Sequence, residues 1–324
     1  MTTKTILVTG GAGYIGSHMV RTLLEHGYAP VVFDDLSTGH REFVPDGVPF
    51  VKGDLKALND IRQVFKRHPV HAVIHFAASI VVPESVADPL KYYHNNGTGT
   101  FNLVRAMAEA RVRPVVFSST ACVYGVPLCA PITEKEPLKV ENPYGATKVM
   151  GEELLKDCAA AGLIRYIVFR YFNVAGAHPS GDIGIKMKNP THLIPNVMAV
   201  ATGKKEALQV FGDDYSTKDG TCVRDYIHVL DLCEAHLLAL GALLGSGKVK
   251  GQTFNLGNGK GFSVLEVVRA AEKVTGRRIP FKIVPRRLGD CPAVVASYAK
   301  AKTVLGWKPR YSLKEILFLA DWAR

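Results

Sequence analysis

Tyr144 and Lys148 lie four residues apart in the segment NPYGATK, and together they have the composition of an acid/base centre. Pro143 suits the first position of a helix, because its ring fixes φ and its missing N–H would have had no partner there. Residues four apart share a helix face, so the Lys148 ammonium can lie beside the Tyr144 phenol. A free phenol titrates near ~10 and needs a neighbouring cation to act as a base at neutral pH. The spacing predicts Tyr144 as an acid/base, although a surface tyrosine near a solvated lysine would share it.

The elements that must position this pair begin with a strand, a glycine turn and a helix. An apolar β-branched run at residues 5–9 is followed by GGAGYIG at residues 10–16 and then by an apolar helical pattern. Such glycines let the backbone approach a pyrophosphate, whose charge the helix N-terminus attracts. A second strand ends in Asp34, ~20 residues on, where a carboxylate binds a ribose 2′-hydroxyl. Because Asp34 would repel a 2′-phosphate, the pattern predicts NAD rather than NADP.

Further apolar strands follow at intervals that leave room for helices. Each is expected to be buried on both faces, and they lie at residues 49–51, 72–76, 114–117 and 165–169. Strands alternating with helices predict an α/β fold, a Rossmann-type doubly wound parallel sheet whose ligands bind off the carboxyl ends of the strands. Polar residues at those ends are therefore expected on one rim, and they are Asp54, residues 77–80, 118–120 and 171–173.

The composition fits an enzyme of this size. With 324 residues, 47% hydrophobic and 21% charged, the chain can bury a large core. The net charge of +11 could indicate nucleic acid, but the basic residues are spread out, which favours a solvated surface with a few arginines facing an anionic small molecule. The six cysteines are scattered, so reduced thiols are expected and a metal site is not. No apolar run is long enough to span a membrane and none resembles a signal peptide, so we expect a cytoplasmic protein.

Several segments together resemble the extended short-chain dehydrogenase/reductases, the NAD-dependent epimerase/dehydratase family, and within it the 4-epimerases of UDP-hexoses. The shared superfamily motifs are GGAGYIG at 10–16, FSST at 117–120, YGATK at 144–148 and RYFN at 170–173. The segments closer to the epimerases are GAHPSG at 176–181, DGTCVRDYIHV at 219–229, FNLG at 254–257 and PRRLGD at 285–290. The resemblance covers nearly the whole chain.

This resemblance implies roles for individual residues. The catalytic set would be Tyr144 as acid/base on the sugar 4-hydroxyl, Thr120 as its hydrogen-bonding partner, and Lys148, which would also hold the cofactor ribose. The NAD-binding set would further include Gly10, Gly13, Tyr14, Ile15, Gly16, Asp34, Asp54, Leu55, Phe76, Ala77, Ala78, Asn96 and Phe172. Besides Thr120 and Tyr144, the UDP-sugar would contact Asn173, Leu193, Phe211, Arg224, Arg287, Asp290 and Val294.

The same resemblance implies an architecture and an activity. An NAD domain at residues 1–175 would precede a mainly nucleotide-sugar-binding domain at 176–324, with parts of 223–260 returning to the first. The enzyme would invert C4 of a UDP-hexose by oxidising it to a 4-keto sugar and returning the hydride to the other face. A homodimer is expected. Three positions depart from the family pattern. Ile80 stands where some members have lysine, His192 where some have asparagine, and Thr120 where serine is more common, which keeps the hydroxyl.

Val294 bears on the choice of sugar. In the epimerases that the chain resembles, this position lines the sugar pocket, and a tyrosine there crowds out a 2-acetamido group. Valine lacks the ring, which predicts that UDP-N-acetylglucosamine and UDP-N-acetylgalactosamine are also substrates. Simple core packing would equally explain a valine.

Two alternatives share the fold. A nucleotide-sugar 4,6-dehydratase would need an adjacent Asp-Glu pair after the catalytic hydroxyl, where this chain has Ala121 and Cys122. A dinucleotide-sensing regulator or a basic RNA-binding protein would fit the pI of about 9.3. That alternative leaves the set of Tyr144, Lys148 and Thr120 without a role.

Overall fold

Strands and helices alternate along the first half of the chain, as the sequence predicts. The computed structural model describes residues 3–186, 190–245, 249–287 and 290–319. The strands are β1 (Thr5–Thr9), β2 (Ala29–Asp34), β3 (Phe50–Lys52), β4 (Val70–His75), β5 (Pro114–Thr120), β6 (Arg165–Tyr171), β7 (Asn173–Ala175), β8 (Leu208–Phe211), β9 (Val223–His228), β10 (Gly251–Leu256), β11 (Gly261–Ser263), β12 (Phe281–Val284) and β13 (Ala293–Val294). The helices are α1 (Tyr14–Glu25), α2 (Leu58–Arg67), α3 (Val82–Ala87), α4 (Pro89–Tyr92), α5 (Gly99–Glu109), α6 (Pro143–Ala160), α7 (Leu193–Ala201), α8 (Val229–Leu244), α9 (Val264–Thr275), α10 (Ala299–Leu305) and α11 (Leu313–Leu319). A π-helical segment, Tyr93–Thr98, joins α4 to α5, and a 3₁₀ turn, Ala121–Tyr124, follows β5.

Seven strands form one parallel sheet in the order β10-β6-β5-β4-β1-β2-β3. Its central strands are rich in apolar residues, and every residue of β1 and of β5 is buried. The chain moves outward from β1 through β2 to β3 and then resumes on the other side with β4, so the strand order reverses between β1 and β4. This reversal is where doubly wound sheets bind dinucleotides. The predicted Rossmann-type sheet is confirmed.

One strand prediction is wrong in part. The strand at Phe50–Lys52 is not buried on both faces, because β3 is the outermost strand and pairs only with β2. Phe50 and Val51 are half-buried and Lys52 is exposed. The guanidinium of Arg41 covers the Phe50 ring, with Cζ 5.0 Å from the ring centroid. An apolar run of three residues carried no signal that distinguishes an edge strand from a central one.

The chain divides into two units. Unit 1 consists of residues 3–125, 138–170, 233–245 and 249–254. It contains the large sheet except for the last residue of β6 and the last two residues of β10. Unit 2 consists of the remaining described residues and contains a sheet of β11, β9 and β13, to which β7 adds by pairing with β9, and a separate pair, β12 and β8. Its core is formed by α7, α9 and α11, which bury Val197, Val267 and Ile316 against one another. The predicted assignment of residues 1–175 to NAD and mainly 176–324 to the nucleotide sugar stays a prediction.

Candidate active site

The glycine turn after β1 permits an unusually close approach of backbones. Gly10 has a φ of 70°, which favours glycine, and a Cβ built on it would lie 2.7 Å from the backbone nitrogen of Ala77. A Cβ on Gly16 would lie 2.0 Å from the carbonyl oxygen of Gly10. Helix α1 begins directly after Gly13, which has no side chain to cap the helix. The first N–H groups of α1 are therefore not capped by the side chain of the preceding residue. Tyr14 and Ile15 lie half-buried in that first turn, and the arrangement is suited to a pyrophosphate.

Asp34 stands at the carboxyl end of β2, beside this turn. It is only 7% exposed, and its two carboxylate oxygens accept hydrogen bonds from the N–H of Ala12 at 3.0 Å and of Leu36 at 2.9 Å. Burial raises its pKa, while the two N–H groups act in the opposite sense. Leu36 is held at a φ of 63°, a strained conformation that often marks a functional site. The carboxylate is therefore fixed where the sequence predicts a ribose contact.

The next cofactor positions follow β3 and β4. Leu55 is buried and Asp54 is half-buried beside it, with a Lys56 ammonium 2.8 Å from its carboxylate. Although burial raises the pKa of Asp54, the hydrogen bonds and charge of Lys56 outweigh it, and the net effect lowers that pKa. After β4, Phe76, Ala77 and Ala78 are half-buried.

Asn96 joins the loop after β4 to helix α6. It lies in the π-helical segment and is buried, and its side-chain amide accepts from the Ser79 N–H at 2.8 Å and donates to the Ser79 carbonyl and the Thr147 hydroxyl at 3.0 Å each. π-helical turns are frequent at functional sites. Tyr92 reinforces this link, because its hydroxyl accepts from the Val81 N–H and donates to the Val81 carbonyl. Sequence reasoning missed Tyr92, for which no spacing or motif gave a signal.

Helix α6 carries the predicted acid/base pair in the expected register. Asn142 caps the helix by accepting from the Gly145 N–H at 2.9 Å, and Pro143 is its first residue, as predicted. Tyr144 is 8% exposed, and its ring packs edge-on against that of Tyr92 with 6.5 Å between centroids. A Cβ built on Gly145 would lie 3.2 Å from the carbonyl oxygen of Cys122, so the start of the helix lies against the turn after β5.

Lys148 is held at the end of strand β5. The Nζ donates to the carbonyl of Ser118 at 2.9 Å and lies 5.1 Å from the centroid of the Phe117 ring. Burial lowers the pKa of this ammonium to about 8, and the Glu152 carboxylate acts in the opposite sense. Thr120 ends the same strand, is 7% exposed, and accepts from the Cys122 N–H at 3.2 Å. The three predicted catalytic side chains are thus buried around one helix start and one strand end.

Ser118 supplies a test of whether this pocket fits a bound molecule. Its hydroxyl is fully buried and has no hydrogen-bond partner within the part of the chain that the structure describes. A buried hydroxyl without a partner costs roughly 1–3 kcal/mol, which a polar group of a ligand would recover. Together with the tight glycine turn and the fixed Asp34 carboxylate, this orphan favours a dinucleotide such as NAD. Residues Gly10, Gly13, Asp34, Asn96 and Lys148 would hold it.

The predicted UDP-sugar residues are described within unit 2. Arg224 lies on β9, and its guanidinium donates to the carbonyls of Val223 and Cys291 at 2.9 Å and to the Asp290 carboxylate at 3.0 Å. Val294 on β13 is paired in register with Arg224, so the two side chains leave the sheet on the same face. The geometry therefore brings Arg224, Asp290 and Val294 together.

Arg287 and Phe211 form a second cluster of unit 2. The Arg287 guanidinium lies 3.8 Å from the centroid of the Phe211 ring, where a cation is attracted by the π face. Leu193 is the first residue of α7, whose N-cap residue His192 makes no side-chain cap, so this helix start also presents N–H groups suited to an anion. Leu288 and Gly289 of the PRRLGD segment lie outside the described residues.

The remaining two predicted contacts are held by hydrogen bonds to backbone carbonyls. Asn173 on β7 donates from its side chain to the Asp225 carbonyl at 2.9 Å. Phe172 is buried, and its N–H donates to the Leu256 carbonyl at 3.1 Å. Asp225 itself accepts from the N–H groups of Asn258, Gly259 and Ala296, and burial raises its pKa to about 6.

Other kinds of site find no support in the described ranges. No group of three or more metal-ligating side chains is present among those residues. No described helix is both long and apolar enough to cross a membrane. All six cysteines are free thiols.

The chain is similar to known proteins over nearly its whole length. The sequence profile of the NAD dependent epimerase/dehydratase family matches residues 6–257. The UDP-glucose 4-epimerase of Bacillus subtilis is 50% identical over 320 residues, covering 96% of this chain and 94% of that protein. The UDP-glucose 4-epimerase of Halalkalibacterium halodurans is 48% identical over 317 residues, covering 98% and 94%.

Solved structures agree over the same length. The UDP-glucose 4-epimerase of Brucella ovis in complex with NAD has a TM-score of 0.95 and 46% identity, covering 98% of this chain and 97% of that one. The UDP-glucose 4-epimerase of Bifidobacterium longum with NAD+ and UDP has a TM-score of 0.93 and 40% identity, with 98% and 97% coverage. The UDP-Glc/GlcNAc 4-epimerase of Campylobacter jejuni has a TM-score of 0.86 and 41% identity, with 98% coverage of both chains. The chain therefore belongs to the NAD dependent epimerase/dehydratase family.

Proposed function

We propose that the protein is an NAD-dependent epimerase that inverts C4 of a UDP-hexose, interconverting UDP-glucose and UDP-galactose through a transient 4-keto sugar. The observation that carries this proposal is the buried set of Tyr144, Lys148 and Thr120, in a chain whose close relatives along their whole length are UDP-glucose 4-epimerases. Carbon 4 bears no acidic proton, so its inversion requires prior oxidation. Bound NAD supplies the acceptor and donor of the hydride.

Residues of unit 1 transfer the proton of the sugar 4-hydroxyl. Tyr144 removes the proton of the 4-hydroxyl and later returns it, and the Thr120 hydroxyl hydrogen-bonds the same sugar oxygen. The positive charge of Lys148, four residues on along the helix, favours the phenolate form of Tyr144. Burial of all three side chains strengthens these interactions, because water screens them less. The oxygen therefore gains and loses its proton within a preorganised site.

The residues of unit 2 hold the nucleotide. Guanidinium groups match diphosphate oxygens in charge and geometry, which suits Arg224 and Arg287 to this role. Their partners in the described structure, the Asp290 carboxylate and the Phe211 ring, keep both side chains in defined positions. Binding free energy concentrated on the nucleotide leaves the sugar free to present either face of C4 to the hydride donor.

Incubation of the purified protein with UDP-galactose and no added reductant tests the proposal. UDP-glucose should accumulate to a constant ratio, measured by the anomeric proton signals of the two sugars in NMR spectra. A 4-keto-6-deoxy sugar would identify a 4,6-dehydratase instead. Retention on heparin without any turnover of UDP-sugars would favour the nucleic-acid-binding alternative.

We further propose that N-acetylated UDP-hexosamines are substrates. The Campylobacter jejuni protein is a UDP-Glc/GlcNAc 4-epimerase, so a similar fold accepts both sugars. Val294 is half-buried and lies beside Arg224 in the strand register. Valine lacks the ring with which a tyrosine would crowd this position, and steric exclusion is the simplest way to reject an acetamido group.

The protein is also proposed to act as a homodimer in the cytoplasm. Among the large apolar side chains that unit 1 exposes are Leu90, Tyr93, Phe101 and Met150. A Cβ built on Gly97 would lie 3.4 Å from the Met150 sulfur, so α6 contacts the π-helical segment that carries Tyr93. Phe101 follows in α5, which continues directly from that segment. A second copy covering this apolar surface would remove it from water. Light scattering should give the mass of two chains, and the mass of one chain for Phe101→Glu but not for Phe318→Glu, a matched change at another exposed phenylalanine.

A further inference from the structure

A buried ion pair that the proposed reaction does not use lies one helical turn beyond Lys148. Glu152 on α6 and Arg170 on β6 have side chains only 7% and 8% exposed. Arg170 donates from Nε to both carboxylate oxygens at 3.0 and 3.1 Å and from Nη2 at 2.5 Å, and the Ser119 hydroxyl donates to Glu152 at 2.5 Å. Net stability does not explain a buried ion pair, because desolvation of the two charges costs about as much as their attraction returns.

The pair connects every element that carries a proposed catalytic side chain. Ser119 lies on β5 between Ser118, which binds Lys148 through its carbonyl, and Thr120. Arg170 also donates from Nη1 to the hydroxyl of Tyr124 at 3.1 Å, at the end of the turn that follows Thr120. Glu152 stands four residues after Lys148, on the same face of α6. The ion pair therefore fixes helix, strand and turn relative to one another within unit 1.

The charges around Lys148 show that Glu152 also acts through its field. Four titratable or charged side chains surround Lys148. They are Tyr144 and Glu152 on its own helix, His75 on β4, and Arg170 on β6, which lies beyond Glu152. Burial, followed by the charge of Lys148, lowers the pKa of His75 to about 3, so this imidazole is neutral near pH 7. Burial also disfavours the ammonium of Lys148, and Glu152 is the charged group that opposes this effect. Without Glu152, the Lys148 ammonium would lose the negative charge that offsets the cost of its burial.

We propose that Glu152, held by Arg170 and Ser119, is a positioning residue that keeps Lys148 protonated and aligned with Thr120. This inference deepens the proposed function and rests on it for the identity of the reaction. The protonation state of Lys148 does not depend on the proposed function and can be measured directly. Glu152 itself touches neither sugar nor cofactor in this proposal.

Glu152→Gln is the decisive variant, since it keeps the shape of the side chain and removes its charge. Glu153→Gln is the matched control, because Glu153 is the neighbouring residue on α6, is 54% exposed and pairs with Lys156 on the surface. The pH dependence of kcat/KM with UDP-galactose is measured for both variants. In parallel, the ¹³Cε signal of Lys148 is titrated by NMR in protein labelled at lysine and identified by its loss in Lys148→Met.

We expect Glu152→Gln to move both the alkaline limb of kcat/KM and the Lys148 titration to lower pH by about one unit, as removal of a nearby opposite charge does. Its kcat should fall by roughly 10- to 100-fold through misalignment, with Glu153→Gln unchanged. A Lys148 titration that coincides with that of the wild type would overturn the proposal even if turnover falls. A wild type that does not turn over UDP-galactose would instead contradict the proposed function, and the NMR titration would still decide the role of Glu152.

A second variant covers the risk that Glu152→Gln leaves Arg170 as an unpaired buried charge and does not fold. The double variant Glu152→Gln with Arg170→Met removes both charges and avoids that penalty. Since Glu152 is the member whose field acts on Lys148, the Lys148 titration should again move to lower pH, although less than in the single variant. An unchanged titration in the folded double variant would reduce the ion pair to a packing role.

Discussion

Lys148 should make the stability of the protein rise at alkaline pH. Burial lowers its pKa from the ordinary 10.5 to about 8 in the folded chain, while the unfolded chain keeps the ordinary value. Below pH 8 both states hold the proton, and the folded state bears the full cost of a buried ammonium. Between pH 8 and 10.5 the folded state has lost the proton and the unfolded state has not. The unfolded state then binds more protons, so the free energy of unfolding increases with pH.

The size of this increase follows from the two pKa values. At about 1.4 kcal/mol for each pH unit between them, the gain amounts to about 3 kcal/mol. It should be complete near pH 10.5 and absent below pH 8. The nearby His75 is neutral throughout this range and does not contribute.

Urea unfolding followed by circular dichroism at pH 7, 8, 9, 10 and 10.5 measures the effect. Tyr144→Phe serves as the reference protein, because it removes the neighbouring phenol, and an unperturbed phenol titrates near ~10. It is compared with Tyr144→Phe carrying Lys148→Met, so that all other lysines, tyrosines and cysteines cancel. The difference in unfolding free energy should change by about 3 kcal/mol in favour of the lysine protein between pH 8 and 10.5. A difference that stays constant with pH would refute the reasoning that Lys148 is buried as a destabilised cation.

Three further outcomes are expected. Tyr144→Phe should lower kcat by about 10²- to 10⁴-fold, the usual contribution of a general acid/base, while NAD and UDP still bind with near-normal affinity in fluorescence titrations; near-normal turnover in the folded variant would remove Tyr144 from its role. A cofactor-stripped sample should regain activity with NAD and not with NADP, because the buried Asp34 carboxylate would repel a 2′-phosphate, and equal rates with both cofactors would count against this. Val294→Tyr should suppress turnover of UDP-N-acetylglucosamine and UDP-N-acetylgalactosamine while sparing the two non-acetylated sugars; rejection of acetylated sugars by the wild type, or equal slowing of all four, would show that another residue sets the limit.

Local patterns in the sequence were sufficient for the features that depend on neighbouring residues. The start of α6 at Pro143 was predicted because the fixed φ and the missing N–H of proline act within one turn. Strand β1 was predicted at its observed bounds, Thr5–Thr9, since a short β-branched run ending in glycine has few other uses. The position of Asp34 at the end of β2 was confirmed for the same reason.

Features that depend on distant parts of the chain were not predictable in this way. Glu152 and Arg170 are 18 residues apart on different elements, and only the packing of α6 on the sheet brings them together. Val294 lies beside Arg224 because a strand of two residues pairs with β9, a contact that no local pattern signals. The exposure of β3 is likewise decided by its place at the edge of the sheet, which is a property of the whole topology.

The central claim is that C4 of the sugar is oxidised and then receives the same hydride back on its other face. It is tested most directly with UDP-galactose carrying deuterium at C4, incubated with the purified protein in ordinary water. The product UDP-glucose should keep the deuterium at C4, as measured by mass spectrometry and by the absence of the H4 signal in NMR spectra. Replacement of the deuterium by hydrogen from water would contradict the account, because it would mean that C4 exchanges a proton with solvent.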